Sequence, residues 1–281
     1  MGLYLRPETL PDALSALAAG RYTILSGATD HFPARVLATP AEDILDISGL
    51  AELAAIRIDA DRIWIPARAT WRAVIDAGLP ASAAALVAAA RGIGGQQVQN
   101  AATVIGNLCN ASPAADGIPV LLALDAEVEL ARLGERRRLP VAEFVLGNRR
   151  TARAPDELVL GLHIPRPAGP ARSVFEKLGA RAYLVISIVM VALAAEFLPD
   201  GRIAALRAAV GACASRALRL SALEAALLGR FPDPALVAAE HLAPLSPIDD
   251  ARASAAYRRG AALTLLRRAV ARLGEPEGSP T

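Results

Sequence analysis

Apolar and polar positions alternate along this chain in short runs that predict many small elements, with a longer helix near the end. Thr9-Leu10-Pro11-Asp12 resembles a capping box, with proline early in a helix that runs to Ala19 and stops at Gly20. A strand over Tyr22 to Leu25 leads into the small-residue loop Ser26-Gly27-Ala28-Thr29-Asp30, and a further strand covers Ile44 to Ile47, giving a small β-α-β-like unit. Ala55 to Ile58 and Arg62 to Ile65 form a hairpin about Asp59-Ala60-Asp61. Thr70 caps a helix through Ala77, and Pro80 to Arg91 gives an Ala-rich second one. An amide-rich loop then runs from Gly92 to Pro113. Gly117 to Ala123 is helical, Ala126 to Leu130 pairs with Arg136 to Leu139 about Gly134, and Glu157 to Ile164 is a strand.

The segment Pro165-Arg166-Pro167-Ala168-Gly169-Pro170 reads as a linker. It divides the chain into residues 1–165 and 171–281. Strands follow over Ser173 to Leu178, Tyr183 to Glu196 and Arg202 to Gly211, the last two joined at Pro199-Asp200-Gly201. The run from Tyr183 to Leu198 contains Ser187 and Glu196 and is short for a membrane span, so a buried strand is the better reading. Helices are expected over Arg216 to Leu228, weakly from Pro234, and over Ser254 to Leu273, with a frayed tail from Glu275 to Thr281.

Charge removes several classes of function. The formal net charge is +2 over 281 residues. The longest like-charged block is Arg136-Arg137-Arg138, so neither nucleic acid nor a membrane surface is an expected partner. The N-terminus lacks the basic-then-apolar order of a secretory leader. Cys109 and Cys213 make no Cys-x-x-Cys pair and cannot supply four ligands to an iron–sulfur cluster, which points to a reducing, cytoplasmic setting. His31, His163 and His241 have no metal-ligand spacing, so no metal is expected. Trp64 and Trp71 are read as core residues, and no Ser-His-Asp arrangement is legible.

Two skews point towards chemistry. Of thirty basic residues, Lys177 is the one lysine. Of seven side-chain amides, six fall between Gln96 and Asn110, and Asn148 stands apart. The loop at Gly27 offers closely spaced backbone N–H donors, small side chains that let a diphosphate approach, and the Thr29 hydroxyl. Its bland alternative is an ordinary strand-to-helix turn. No Lys or Arg occurs between Gly92 and Ala131, so an anion there would be met by backbone amides and hydroxyls. Amide side chains suit the edges of a neutral heterocycle and sugar hydroxyls. The alternative is a buried loop whose amides satisfy its own backbone.

The segments Leu25 to Asp30, Asn100-Ala101-Ala102-Thr103-Val104-Ile105-Gly106-Asn107, Asn110 to Asp116, Phe175-Glu176-Lys177-Leu178-Gly179-Ala180-Arg181 and Tyr257-Arg258-Arg259 occur in the order of one family. In them the chain closely resembles the FAD-binding medium subunit of molybdenum hydroxylases, the group that includes carbon monoxide dehydrogenase and the FAD portion of xanthine dehydrogenase. The resemblance implies an α+β fold: a two-sub-domain FAD clamp of the PCMH type, then a three-stranded antiparallel sheet with a helical bundle. It implies that Ser26, Gly27, Ala28, Thr29 and Asp30 contact the diphosphate and ribityl chain. Thr103, Ile105, Gly106 and Asn107 would form a second diphosphate loop, Asp116 would bind cofactor hydroxyls, and Ile93 would lie against the isoalloxazine. Lys177 would stand by the flavin and act catalytically by stabilising negative charge on it. Ala28 and Ile105 stand where the family pattern has glycine, and a β-branched residue at positive φ is costly. Tyr183-Leu184 occupies a region where some relatives carry an acidic residue.

The implied function is electron transfer. FAD on this chain would take electrons from [2Fe-2S] clusters on a small partner subunit and pass them to an acceptor. Hydroxylation would occur on a molybdopterin-bearing large subunit, the whole assembling as a dimer of heterotrimers. The alternatives are a flavin-deficient scaffold subunit and a stand-alone flavin oxidoreductase.

Overall fold

The computed structural model describes residues 2–33, 42–182 and 184–275. The first sub-domain is a three-stranded parallel sheet of β1 (Tyr4–Leu5), β2 (Thr23–Leu25) and β3 (Ile44–Asp46), in the order β1-β3-β2. The helix α1 (Leu10–Ala19) joins β1 to β2. Its cap is the expected one: Thr9 accepts a hydrogen bond from the Asp12 N–H, and Pro11 sits in the first turn. Leu10, Ala13, Leu14 and Leu17 fall on one helical face and are buried.

The second sub-domain is built on an antiparallel five-stranded sheet. Its strands are β4 (Arg57–Ile58), β5 (Arg62–Pro66), β6 (Glu127–Arg132), β7 (Glu135–Pro140) and β10 (Leu158–Pro165), in the order β4-β5-β10-β6-β7. Between β5 and β6 run α2 (Trp71–Asp76), α3 (Ala84–Gly92), α4 (Gln96–Ala101), α5 (Val104–Asn110) and α6 (Gly117–Ala123). Thr70 caps α2 by accepting from the Ala73 N–H. The amide-rich segment expected as a loop therefore holds two short helices. Between β7 and β10 lie α7 (Val141–Phe144) and the small hairpin β8 (Val145–Gly147) and β9 (Arg150–Thr151).

Beyond the linker, β11 (Ala171–Leu178), β12 (Val189–Phe197) and β13 (Ile203–Gly211) form the three expected antiparallel strands. A two-residue strand, β14 (Leu218–Arg219), extends the sheet, in a stretch the sequence reads as helix. Only α8 (Ser221–Leu227) of that expected helix forms. The last helix is α9 (Ala255–Gly274), capped by Ser254, which accepts from the Tyr257 N–H. The expected start of β12 at Tyr183 lies outside the described residues, and the ladder begins only at Val189. The tail beyond residue 275 is likewise outside them.

Strand β12 is buried on both faces, and its period of two divides its side chains between two cores. Met190, Ala192 and Ala194 enter the N-terminal core. Val189, Val191, Leu193 and Ala195 enter the C-terminal core with Leu265, Leu266, Ala269, Val270 and Leu273 of α9. Small residues on the first face let the sheet approach α3 and α6 closely. At that junction the Ser173 hydroxyl of β11 accepts from the Ala85 N–H of α3, at 2.9 Å. Among the described residues, no helix is long and apolar enough to cross a membrane.

Candidate functional site

The loop after β2 and the segment from Ile93 to Asn110 face each other across a cleft of about 840 Å³. Its lining includes Ser26, Gly27, Ala28, Thr29, Asp30, Ile93, Thr103, Gly106 and Asn107. Two loops far apart in sequence thus meet in one place. The meeting is tight. A Cβ on Gly27 would fall 1.9 Å from the Ala101 carbonyl oxygen, so only glycine allows the two backbones this approach. Ala28 beside it has φ +53°, the left-handed region that glycine fills without cost.

The far wall is stitched down. The Trp71 N–H donates to the Ala102 carbonyl and the Val104 N–H to the Ala69 carbonyl, so residues 102–104 run beside the start of α2. Thr103 caps α5, its hydroxyl accepting from the Gly106 N–H at 2.9 Å. Ile105 lies inside α5 without positive φ, its side chain 5% exposed in the core. The backbone cost expected of a β-branched residue here does not arise, and the side chain points away from the cleft. Gln99 serves the backbone: its amide donates to the carbonyls of Arg91 and Ile93, closing the end of α3. The amides are thus divided. Gln99 is structural, whereas Asn107 and Asn110 line the cleft.

Asp116 and Lys177 stand outside the cleft lining and bind each other. The Lys177 Nζ donates to Asp116 Oδ2 at 2.6 Å and to the Gly92 carbonyl at 3.2 Å, next to Ile93. Ser187 donates to the other Asp116 oxygen at 2.5 Å. Asp116 is 6% exposed. Burial pushes its carboxyl above the ordinary range, opposed by Lys177 and Ser187. Sequence reasoning did not single out Ser187.

Arg149, at the tip of the β8–β9 hairpin, also lines the cleft and was missed. Trp71 touches the cleft but is fully buried in the core, and Trp64 packs on His163 with ring centroids 4.5 Å apart. His31 lines the cleft and pairs with Glu42 at 3.2 Å. Cys109 is half-buried, and burial pushes its thiol up to about 11, which makes it a poor nucleophile. Among the described residues, no cluster of three or more His, Cys, Asp or Glu is placed to hold a metal.

Residues 1–167 match the family model described as the FAD binding domain in molybdopterin dehydrogenase. The chain belongs to that family. Residues 175–273 match the CO dehydrogenase flavoprotein C-terminal domain. The nicotinate dehydrogenase FAD-subunit of Eubacterium barkeri is 34% identical over 150 residues, 52% of this chain and 51% of that one. The chain thus aligns with about half the length of that relative. The nicotine 6-hydroxylase medium subunit of Paenarthrobacter nicotinovorans is 29% identical over 279 residues, 96% of each chain. A chain of the reconstituted CO dehydrogenase from Oligotropha carboxidovorans superposes with a TM-score of 0.90 at 26% identity, covering 98% of both.

The residues present fit the cofactor of the family. The cleft volume lies within the range of about 300–1,000 Å³ usual for cofactor sites. One stretch is lined by Ile93, Val98 and Ile186, an apolar surface suited to a flat ring system. Another offers Ser26, Thr29, Asn107 and Asn110 around glycine backbone, suited to a diphosphate and a polyol.

Proposed function

We propose that this chain carries FAD in the cleft between the Gly27 and Gly106 loops and serves as the flavin subunit of a molybdenum-hydroxylase-type oxidoreductase. The observation that carries the reading is the approach of Gly27 to the Ala101 carbonyl. It joins two small-residue loops into one cleft lined by glycine backbone and by the side chains of Ser26, Thr29, Asn107 and Asn110.

FAD, when bound, supplies the redox chemistry, taking electrons delivered from iron–sulfur clusters and giving them to an acceptor. The protein's own groups bind and orient it. Ser26, Thr29, Thr103, Gly106 and Asn107 hold the diphosphate and ribityl chain. Ile93 sets the ring plane. Lys177 brings positive charge to the Gly92–Ile93 corner, and Asp116, whose two oxygens are taken by Lys177 and Ser187, keeps that lysine in place. The clusters and the molybdopterin belong to a small and a large partner subunit, in a cytoplasmic dimer of heterotrimers. Relatives named as a medium subunit and a medium chain support the small and large partners. A flavin-deficient scaffold drew its support from Ile105, and the helical place of that residue removes it.

The test is an absorption spectrum and metal analysis of the natively purified complex. Flavin bands on this chain, with iron and molybdenum on two co-purifying chains, are expected. A purified chain that stays colourless in FAD and leaves flavin fluorescence unquenched sinks the reading.

A further inference from the structure

Among the described residues lining the cleft, Arg149 is the one permanent cation and Asp30 the one permanent anion. They pair at 3.4 Å, with side chains 61% and 57% exposed. We propose that Arg149 is the counter-charge for the FAD diphosphate, which displaces Asp30 as the partner of its guanidinium. The proposal rests on the FAD reading above and adds to it a residue from outside both loops.

The need for such a group follows from charge. A diphosphate is doubly negative, yet no basic residue occurs between Gly92 and Ala131, and the Ser26–Asp30 loop adds a carboxylate. Main-chain and amide donors hydrogen-bond an anion without neutralising it. A guanidinium does both, and its planar fork matches two phosphate oxygens at once.

Delivery follows from the backbone. Arg149 has φ +54°, a conformation that an L-residue adopts only when its surroundings impose it. Here the β8–β9 hairpin imposes it, together with the Arg149 N–H, which donates to the Ala111 carbonyl at 3.3 Å. Ala111 is the left-handed cap of α5, the helix whose Asn107 and Asn110 line the cleft. The arginine therefore starts from a point fixed to the second loop, while its partner Asp30 belongs to the first. An ion pair this exposed contributes little to stability. Exchanging a single carboxylate for a doubly charged diphosphate is then favourable for Arg149. Asp30, a like charge beside the diphosphate, works against binding, so the two residues carry opposite signs.

Equilibrium titration of the full-length chain with FAD, FMN and riboflavin, read by flavin fluorescence at two ionic strengths, tests this. Arg149→Gln keeps a Cβ at the left-handed position and removes the charged guanidinium. It is expected to weaken FAD binding by roughly tenfold or more, the size expected for a lost charge-assisted hydrogen bond. Riboflavin, which has no phosphate, should bind as before, and the salt dependence of FAD affinity should flatten. Arg149→Lys should recover part of the loss, and Asp30→Asn should tighten FAD severalfold at low salt. Unchanged FAD affinity in Arg149→Gln, or an equal loss for riboflavin, overturns the proposal while leaving the FAD reading intact. A wild-type chain that takes no FAD overturns both.

Discussion

Neighbouring residues in the first loop have opposite tolerances. Gly27 is fixed by distance, because a methyl group there would overlap the Ala101 carbonyl. Ala28 is fixed by dihedral: φ +53° costs an L-residue about 1–2 kcal/mol that glycine does not meet. Gly27→Ala should therefore part the loops, abolish FAD retention and lower the melting temperature. Ala28→Gly should keep FAD and be neutral or stabilising by up to about 1 kcal/mol, since the relief of strain exceeds glycine's added chain entropy only slightly. Thermal melts with and without FAD check both, and a Gly27→Ala chain that binds normally would remove the cradle. A third residue contributes to acid stability. The Asp250 carboxyl accepts from the N–H groups of Arg252 and Ala253 and from the buried Arg258, and is held down at about 2. Its folded value lies below the ordinary 3.8, so its stabilisation is present above that pH and is lost as pH falls towards 2. Asp250→Asn should flatten the acid limb of the unfolding curve between about pH 4 and 2, while an unchanged limb would assign acid sensitivity elsewhere.

At the level of elements, most strands were legible because their ladders follow an alternation that the sequence already carries. What was not legible depends on contacts made at a distance. Gln96 to Asn110 reads as loop because clustered amides compete for backbone hydrogen bonds. It becomes α4 and α5 because Gln99 spends its amide on the end of α3 and residues 102–104 pair beside Thr70. The apolar run before Val189 reads as strand, yet Leu184 has φ +54° and Ile186 is 52% exposed, so this stretch borders the cleft mouth without joining the ladder. Leu218–Arg219 reads as helix but pairs with β13, where the Leu220 N–H also donates to the Ala208 carbonyl. The cleft loops were legible from small residues and amides; Arg149 was not, because nothing local marks where a hairpin tip will land. The two faces of β12 give a prediction of their own. Ala192→Leu overfills the close contact with the N-terminal core and should cost about 1–3 kcal/mol. Leu193→Ala leaves a cavity under α9 and should cost about 2–5 kcal/mol. Denaturant midpoints measure both, and equal indifference at the two sites would contradict a strand buried on both sides.

Across the whole molecule, the flavin-binding segment and the C-terminal sheet are joined by an ionic contact as well as an apolar one. Lys177 on β11 and Ser187 ahead of β12 both reach Asp116 at the start of α6. Replacing Lys177 by Met keeps the aliphatic stem but leaves a carboxyl that is 6% exposed with one hydroxyl donor. Breaking a buried pair from one side costs on the order of 3–5 kcal/mol, because the remaining charge is uncompensated. Burial already raises the Asp116 carboxyl above its ordinary value, and loss of the ammonium raises it further. A group raised in the folded state favours the protonated form there. The penalty is therefore small below the ordinary carboxylate pKa and grows as pH rises through the folded value. Lys177→Met should be close to wild type in stability near pH 4 and clearly weaker at neutral pH. The double variant Lys177→Met/Asp116→Asn, with no charge left to bury, should recover most of the loss at neutral pH. A deficit that is the same at every pH, or that the second substitution does not relieve, would mean that Lys177 acts by packing rather than by pairing with Asp116.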